Sequence, residues 1–292
     1  MSEGIKEYMA ADYVDLSSLP SPKVVEELDF EAIFQELLAD FKKRRPEYDA
    51  LLESDPVIVA LQTAAYRELL LRNRINEAAK ANMLAYATGS DLDNLAAFFG
   101  VERLEGEQDD RLCYRARLSL ESLTTAGSEK AYQFHVLSAS PLVKSVSVLT
   151  PAEGRVLITI LSTEGNGVAD GELIRAVGDY VSAEDKRPLT DHVVVQSAKI
   201  VPFSVRAKVF VFAGPSVSIT REEFTANLQR YLGKQHHIGS VIALSGIFDA
   251  LHAEGVQKIK LLSPAEDVIT TKEQAAYCSG IELEMEIVND RS

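Results

Sequence analysis

The stretch from Thr88 to Val101 divides this chain into two kinds of sequence. Before it, apolar residues recur at helical spacing over long runs; after it, they fall into short mixed units. Gly89 can take the left-handed conformation that ends a helix. Ser90, three residues ahead of Asp93, offers a side-chain oxygen to the free amides of the next helix. That second helix is short, with Leu92, Leu95, Ala96 and Phe99 on one stripe and Gly100 closing it. Gly89, Ser90, Asp93 and Gly100 are therefore read as a structural corner, where one helix stops and another starts.

Residues 1–28 read as an extended N-terminal arm, because Pro20 and Pro22 disfavour helix at themselves and at the residues before them. The arm carries Tyr13, Leu16, Leu19, Val24, Val25 and Leu28, too many apolar groups for a solvated tail, so it is expected to lie against another surface. Asp29 caps a helix whose apolar positions run Phe30, Ile33, Phe34, Leu37, Leu38 and Phe41. Its basic end, Lys42-Lys43-Arg44-Arg45-Pro46, reads as cations at the negative end of a helix dipole, stopped by proline. Ser54-Asp55-Pro56 then announces a long helix expected to run to about Thr88, roughly 50 Å at 1.5 Å per residue. Its apolar set covers more than one face, and Arg67 and Arg74 sit two turns apart on one side. Such a helix packs either within its own domain or against other chains.

A further helix begins at Asp109-Asp110-Arg111, and beyond it the chain repeats itself. Val143–Gly154 matches Val256–Asp267 in residue type, position by position. Each copy follows a helix, Glu129–Ser138 in one and Ile247–Ala253 in the other. Each precedes a strand, Arg155–Leu161 and Ile281–Val288. Helices fit Gly171–Val181 and Thr220–Leu232, the second with a Thr220/Glu223 capping box. Strands fit Val193–Val195 and Val201–Val211, where Pro202 marks an edge or a strand start. The fold class is α+β: an N-terminal helical region with one long helix, then two small related α+β domains from an internal duplication. The expected division is an arm over 1–28, a helical domain over 29–127, and α+β domains over 128–198 and 199–292.

Composition narrows the function. A formal charge of −14 repels nucleic acid, and 46% apolar residues over 292 positions suffice for proper cores. Cys113 and Cys278 lie too far apart for a zinc spacing or a disulfide framework and read as buried apolar groups. No run approaches a bilayer span, so a soluble protein made in a cytoplasm is expected.

The chemical candidates reduce to structure. Gly165-Asn166-Gly167-Val168-Ala169-Asp170-Gly171 sits where a dinucleotide phosphate loop would sit, but its third glycine is displaced by one and Asp170 would repel pyrophosphate. A tight turn with an Asp cap accounts for it; the alternative is an enzyme that holds a nucleotide or phosphate ester there. Adjacent His236 and His237 point in different directions and lack further ligands. Asp91-Leu92-Asp93-Asn94 lacks the glycine and glutamate of a calcium loop. No catalytic residues, cofactor or metal site are expected.

Three segments carry a resemblance: the arm Leu16–Glu31, the corner Ala87–Ala96, and Arg187-Pro188-Leu189-Thr190-Asp191. In order and spacing they resemble the baseplate J-like family, a wedge component of contractile phage tails, tailocins and related injection particles. The resemblance implies a non-enzymatic structural protein of the virion tail baseplate, assembled in the host bacterial cytoplasm. It implies helices that bundle with other wedge proteins and the sheath-initiating component. It also implies C-terminal domains that pair with a second copy and join neighbouring wedges into a ring round the tail tube, without nucleic acid or membrane. Carried over by motif, Leu16, Leu19, Pro20, Pro22, Leu28 and Phe30 of the arm, with Arg67 and Arg74 of the long helix, would contact partners. A cell-encoded adaptor unrelated to phage is the remaining alternative.

Overall fold

The fold is taken from a computed structural model, which describes residues 22–48, 51–123, 127–183, 186–212, 221–253 and 255–288. The chain forms two compact units that part between Phe98 and Phe99.

The first unit is helical. Helix α1 (Phe30–Arg44) starts where the Asp29 carboxylate accepts the amides of Glu31 and Ala32, and it ends on Lys42, Lys43 and Arg44 in the last turn. Helix α2 (Pro56–Ala81) begins at a proline, but Asp55 is not a side-chain cap. Its carboxylate instead accepts the amide of Leu52 at 2.8 Å and bends the approach to the helix. Ile33 and Phe34 of α1 pack on Ile58 and Ala65 of α2, with Leu37, Leu38, Leu61 and Leu69 around them.

Helix α2 is shorter than its sequence pattern suggests: 26 residues, ending at Ala81 rather than near Thr88. Asn82 terminates it. Its side-chain amide donates to the Ala78 carbonyl at 2.8 Å, and the amide of Met83 bonds the Lys80 carbonyl in a tightened turn. Another turn, closed by the Tyr86 amide on the Met83 carbonyl, leads to α3 (Gly89–Phe98), which buries Leu92 and Ala96.

The second unit opens with α4 (Asp109–Ser122) and α5 (Glu129–Ala139), which pack on one another. Strands β1 (Val143–Ala152) and β2 (Arg155–Ser162) form an antiparallel hairpin. Helix α6 (Gly171–Val181) then crosses over to β3 (His192–Ser197), which lies parallel to β2. β2 is central in this first sheet and is correspondingly apolar, with Ile158, Ile160 and Leu161 fully buried.

The chain changes sheets at one residue. The Ala198 amide still donates to Ile160 of the first sheet at 2.8 Å, while the Lys199 amide donates to Glu273 of the second at 3.0 Å. From Lys199 runs β4 (Lys199–Phe212), followed by α7 (Arg221–Gln235), β5 (Val241–Ile242), α8 (Leu244–Ala250), β6 (Val256–Ser263), β7 (Val268–Ile269) and β8 (Gln274–Val288). The second sheet has the order β6-β4-β8, with β6 antiparallel and β8 parallel to β4; β5 and β7 pair separately. Val205, Ala207, Val209 and Val211 of β4 pack with Phe224, Leu228 and Ile247 of the covering helices.

The two matched stretches therefore occupy equivalent places. Both β1 and β6 are edge strands antiparallel to a central strand, and in both sheets the opposite edge runs parallel to the centre. The strand after each match differs. Arg155–Leu161 belongs to the central strand beside β1, whereas Ile281–Val288 belongs to β8, separated from β6 by β4. Pro202 sits in a central strand without breaking it. β6 pairs only with Arg206–Val211, so beside Pro202 the strand has β8 as its single neighbour and the missing donor is not required. β8 also begins earlier than its alternation suggests, because a bulge opposite Phe203 and Ser204 accommodates Ser279, whose hydroxyl donates to the Phe203 carbonyl. Thr220 of the expected capping box lies outside the described residues.

Candidate functional site

No side-chain cluster among the described residues has the composition of a metal site, and none of their helices is long and apolar enough to cross a membrane. Several of the described groups that could carry chemistry are engaged in structural contacts. In the Gly165 loop, the Gly167 amide donates to Glu164, the Val168 amide to the Asn166 side chain and the Ala169 amide to Ser197 Oγ. Asp170 caps α6 by accepting the Leu173 amide at 2.7 Å. A phosphate would need those amides free. Gly167 is required for a different reason: its φ is +95°, and a Cβ there would stand 2.5 Å from Leu161 Cδ1 and 3.0 Å from His236 Nε2.

His236 belongs to the contact between the two sheets. Its Nδ1 lies 3.4 Å from Lys144 Nζ on β1, and its ring tilts against Tyr277 of β8. Burial, reinforced by the Lys144 ammonium, lowers its pKa below the ordinary histidine range. Beside it, between α7 and β8, is a cleft of about 370 Å³ that includes Leu232, Tyr277 and Cys278. Burial raises the pKa of the Cys278 thiol and pushes that of Cys113 up to about 11, so neither cysteine is poised as a thiolate.

The arm meets its own long helix. Asn76 of α2, 6% exposed, donates to the Glu26 carbonyl at 2.8 Å and accepts the Glu26 amide at 3.0 Å, so one side chain satisfies both backbone groups of an arm residue. Arg72 reinforces the contact through Glu68 and Glu26. Of the proposed contact residues, Leu16, Leu19 and Pro20 lie outside the described residues. Pro22 accepts the Val25 amide, Leu28 is half-buried, and Phe30 stacks on Phe34 at 6.4 Å. Arg67 and Arg74 are exposed on the side of α2 away from α1, where they are flanked by exposed Val59, Tyr66 and Leu70 on one side and Leu71 and Ile75 on the other.

At the corner, Gly89 opens α3 with φ +54° rather than closing α2, and Gly100 follows α3 with φ +68°. Ser90 lies inside the first turn of α3, and its carbonyl accepts the Asn94 side chain. Asp93 lies in the next turn of the same helix.

Two polar clusters, one buried and one half-buried, escape a reading by sequence pattern. Glu107, fully buried, receives Arg111 and Arg115 of α4, one on each oxygen and each at 2.6 Å. Arg111 also donates to the carbonyls of Leu137 and Ser140, and Arg115 to that of Glu102. The network fixes α4, the preceding loop and the end of α5 together. Helical periodicity assigns Arg111 and Arg115 to α4 but is silent on a partner in a loop. The second cluster explains the Arg187–Asp191 motif. Asp191 accepts the Tyr132 hydroxyl of α5 at 2.7 Å, Arg187 donates to the carbonyls of Ser182 and Asp191, and burial with the Asp191 bond raises the tyrosine pKa.

Residues 53–110 match the baseplate J-like N-terminal domain and residues 124–197 the baseplate J-like central domain. Baseplate protein J of Escherichia phage P2 is 40% identical over 290 residues, covering 91% of this chain and 95% of that protein. The chain therefore belongs to the baseplate J-like family.

Proposed function

We propose that the chain is a non-enzymatic wedge component of a contractile-tail baseplate, in a phage, tailocin or related injection particle assembled in the bacterial cytoplasm. The observation that carries this reading is a likeness spanning almost the full length of a phage baseplate protein. It is supported by an α2 surface whose apolar residues and two arginines face away from the core of its own unit. In this reading the arm (1–28) and the helical region (29–127) bind other wedge proteins and the sheath-initiating component. Phe30, Arg67 and Arg74 are among the contacts, and Gly89, Ser90, Asp93 and Gly100 form the junction. The α+β domains (128–198 and 199–292) pair with a second copy and join neighbouring wedges into a ring round the tail tube.

The test is the size of the chain in solution, alone and co-expressed with the products of neighbouring genes. The expected results are a homodimer alone and a larger complex on co-expression. A monomer that binds none of those products refutes the reading.

A further inference from the structure

The second sheet has one face under α7 and α8, and among the described residues no other helix packs on its opposite, open face. Alternation along β4 sends Val205, Ala207 and Val209 inward and Arg206, Lys208 and Phe210 outward. Strand register sets those outward residues in rows. Lys260, Lys208 and Glu284 form one row across β6, β4 and β8; Lys258, Phe210 and Glu286 form the next; Arg206 and Glu282 begin a third. Each charged strand thus carries one sign on this face: basic on β6 and β4, acidic on β8. The Lys208–Glu284 pair, 2.6 Å apart, marks the seam between the two signs. Lys258 and Lys260 stand two strands from the acidic row, roughly 10 Å away and beyond direct pairing. Both are exposed.

A surface shaped only for solubility mixes both signs along each strand. A face split into a positive edge and a negative edge is instead complementary to itself. We infer that this open face docks on the same face of a second copy, about a two-fold axis parallel to the strands. That axis exchanges the two edges, so the β6 lysines of each copy stack over the β8 glutamates of the other, twice per dimer. A two-fold axis across the strands would stack lysine on lysine and is disfavoured. Pairing of two β8 edges would bring like charges together. This assignment rests on the reading that the chain pairs with itself, and it specifies where. Three strands over about eight residues give a face of roughly 15 by 25 Å, smaller than the ~800 Å² per partner of a standard interface. The contact is therefore a concentration-dependent dimer, sensitive to salt.

Sedimentation of the full chain across concentration tests the inference with wild type, a K258E/K260E variant and an E284K/E286K variant, which reverse the two edges in the same rows. Wild type should dimerise, and its dissociation constant should rise on the order of tenfold between low and high salt as the ~10 Å screening length shortens. Each variant alone should be monomeric, and an equimolar mixture of the two should recover the dimer, because the reversed edges then complement each other. Recovery on mixing also excludes misfolding as the cause of the single-variant result. Dimers that persist in both variants, no recovery on mixing, or a salt-independent constant overturn this face while leaving self-pairing intact. A wild type that stays monomeric overturns both.

Discussion

Replacing Glu107 by alanine isolates the energetic role of the buried network. The substitution removes an acceptor that takes Arg111 and Arg115 at 2.6 Å each and the Leu104 amide at 3.0 Å. The arginine side chains are only 5% and 4% exposed, so neither can recover its lost partner from solvent. The neutral carbonyls of Leu137, Ser140 and Glu102 remain as acceptors, but both buried guanidinium groups lose the carboxylate they share. Removing one partner from a buried ion pair costs about 3–5 kcal/mol, and serving two arginines places Glu107→Ala in the upper half of that range. Against a total stability of about 5–15 kcal/mol, this is enough to leave the second unit marginal. Replacing all three residues together, as E107M/R111M/R115L, removes the charges along with the gap and should cost much less. Urea denaturation gives the free energies, and amide exchange localises them: protection should fall in α4 and α5 while α1 and α2 keep theirs. A Glu107→Ala protein within about 0.5 kcal/mol of wild type, the ordinary range for surface substitutions, would refute the assignment.

Other predictions concern the arm, the corner and the contact between sheets. Asn76→Ala strips Glu26 of two hydrogen bonds, and a loss of roughly 1–3 kcal/mol with faster proteolysis near Glu26 is expected; unchanged cleavage would count against the clamp. Gly89→Val meets no atom within 4 Å, so its cost comes from φ +54° alone, about 1–2 kcal/mol, read in thermal melts and in reduced particle yield. His236 is held neutral by burial and by Lys144, with Tyr277 and His237 also beside it. The unfolded chain takes up the proton first as pH falls past about 6.5, so this histidine contributes stability above that value and loses it below. Wild type should therefore lose more stability than His236→Gln between about pH 7.5 and pH 5.5, and equal losses would exclude the coupling.

The corner and the helix ends show how far local sequence reaches. Asp29 as a cap, the basic last turn of α1, the alternation along β4 and the Asp170 cap were all legible, because each depends on residues within a few positions of one another. The end of α2 was not: nothing in the periodicity of residues 82–88 opposes helix, and the chain stops because Asn82 turns back onto Ala78. The candidate surfaces divide in the same way. Apolar and basic positions on α2 can be read from helical spacing, whereas the Asn76 clamp spans fifty residues and left no local pattern.

By itself, the sequence determined the helix-rich and strand-rich halves, the repeated strand pattern, the Asp170 cap that ends its glycine loop, and a family resemblance that whole-length similarity then established. These rest on periodicity, turn chemistry and motif order, all of which are local. Only the tertiary structure decided which strand lies beside which. The strand expected to follow each matched stretch is a neighbour in one sheet and the far edge in the other, because β4 lies between β6 and β8. That long-range pairing also gathered Lys258, Lys260 and the β8 glutamates onto one face, and no property of the separate segments records it.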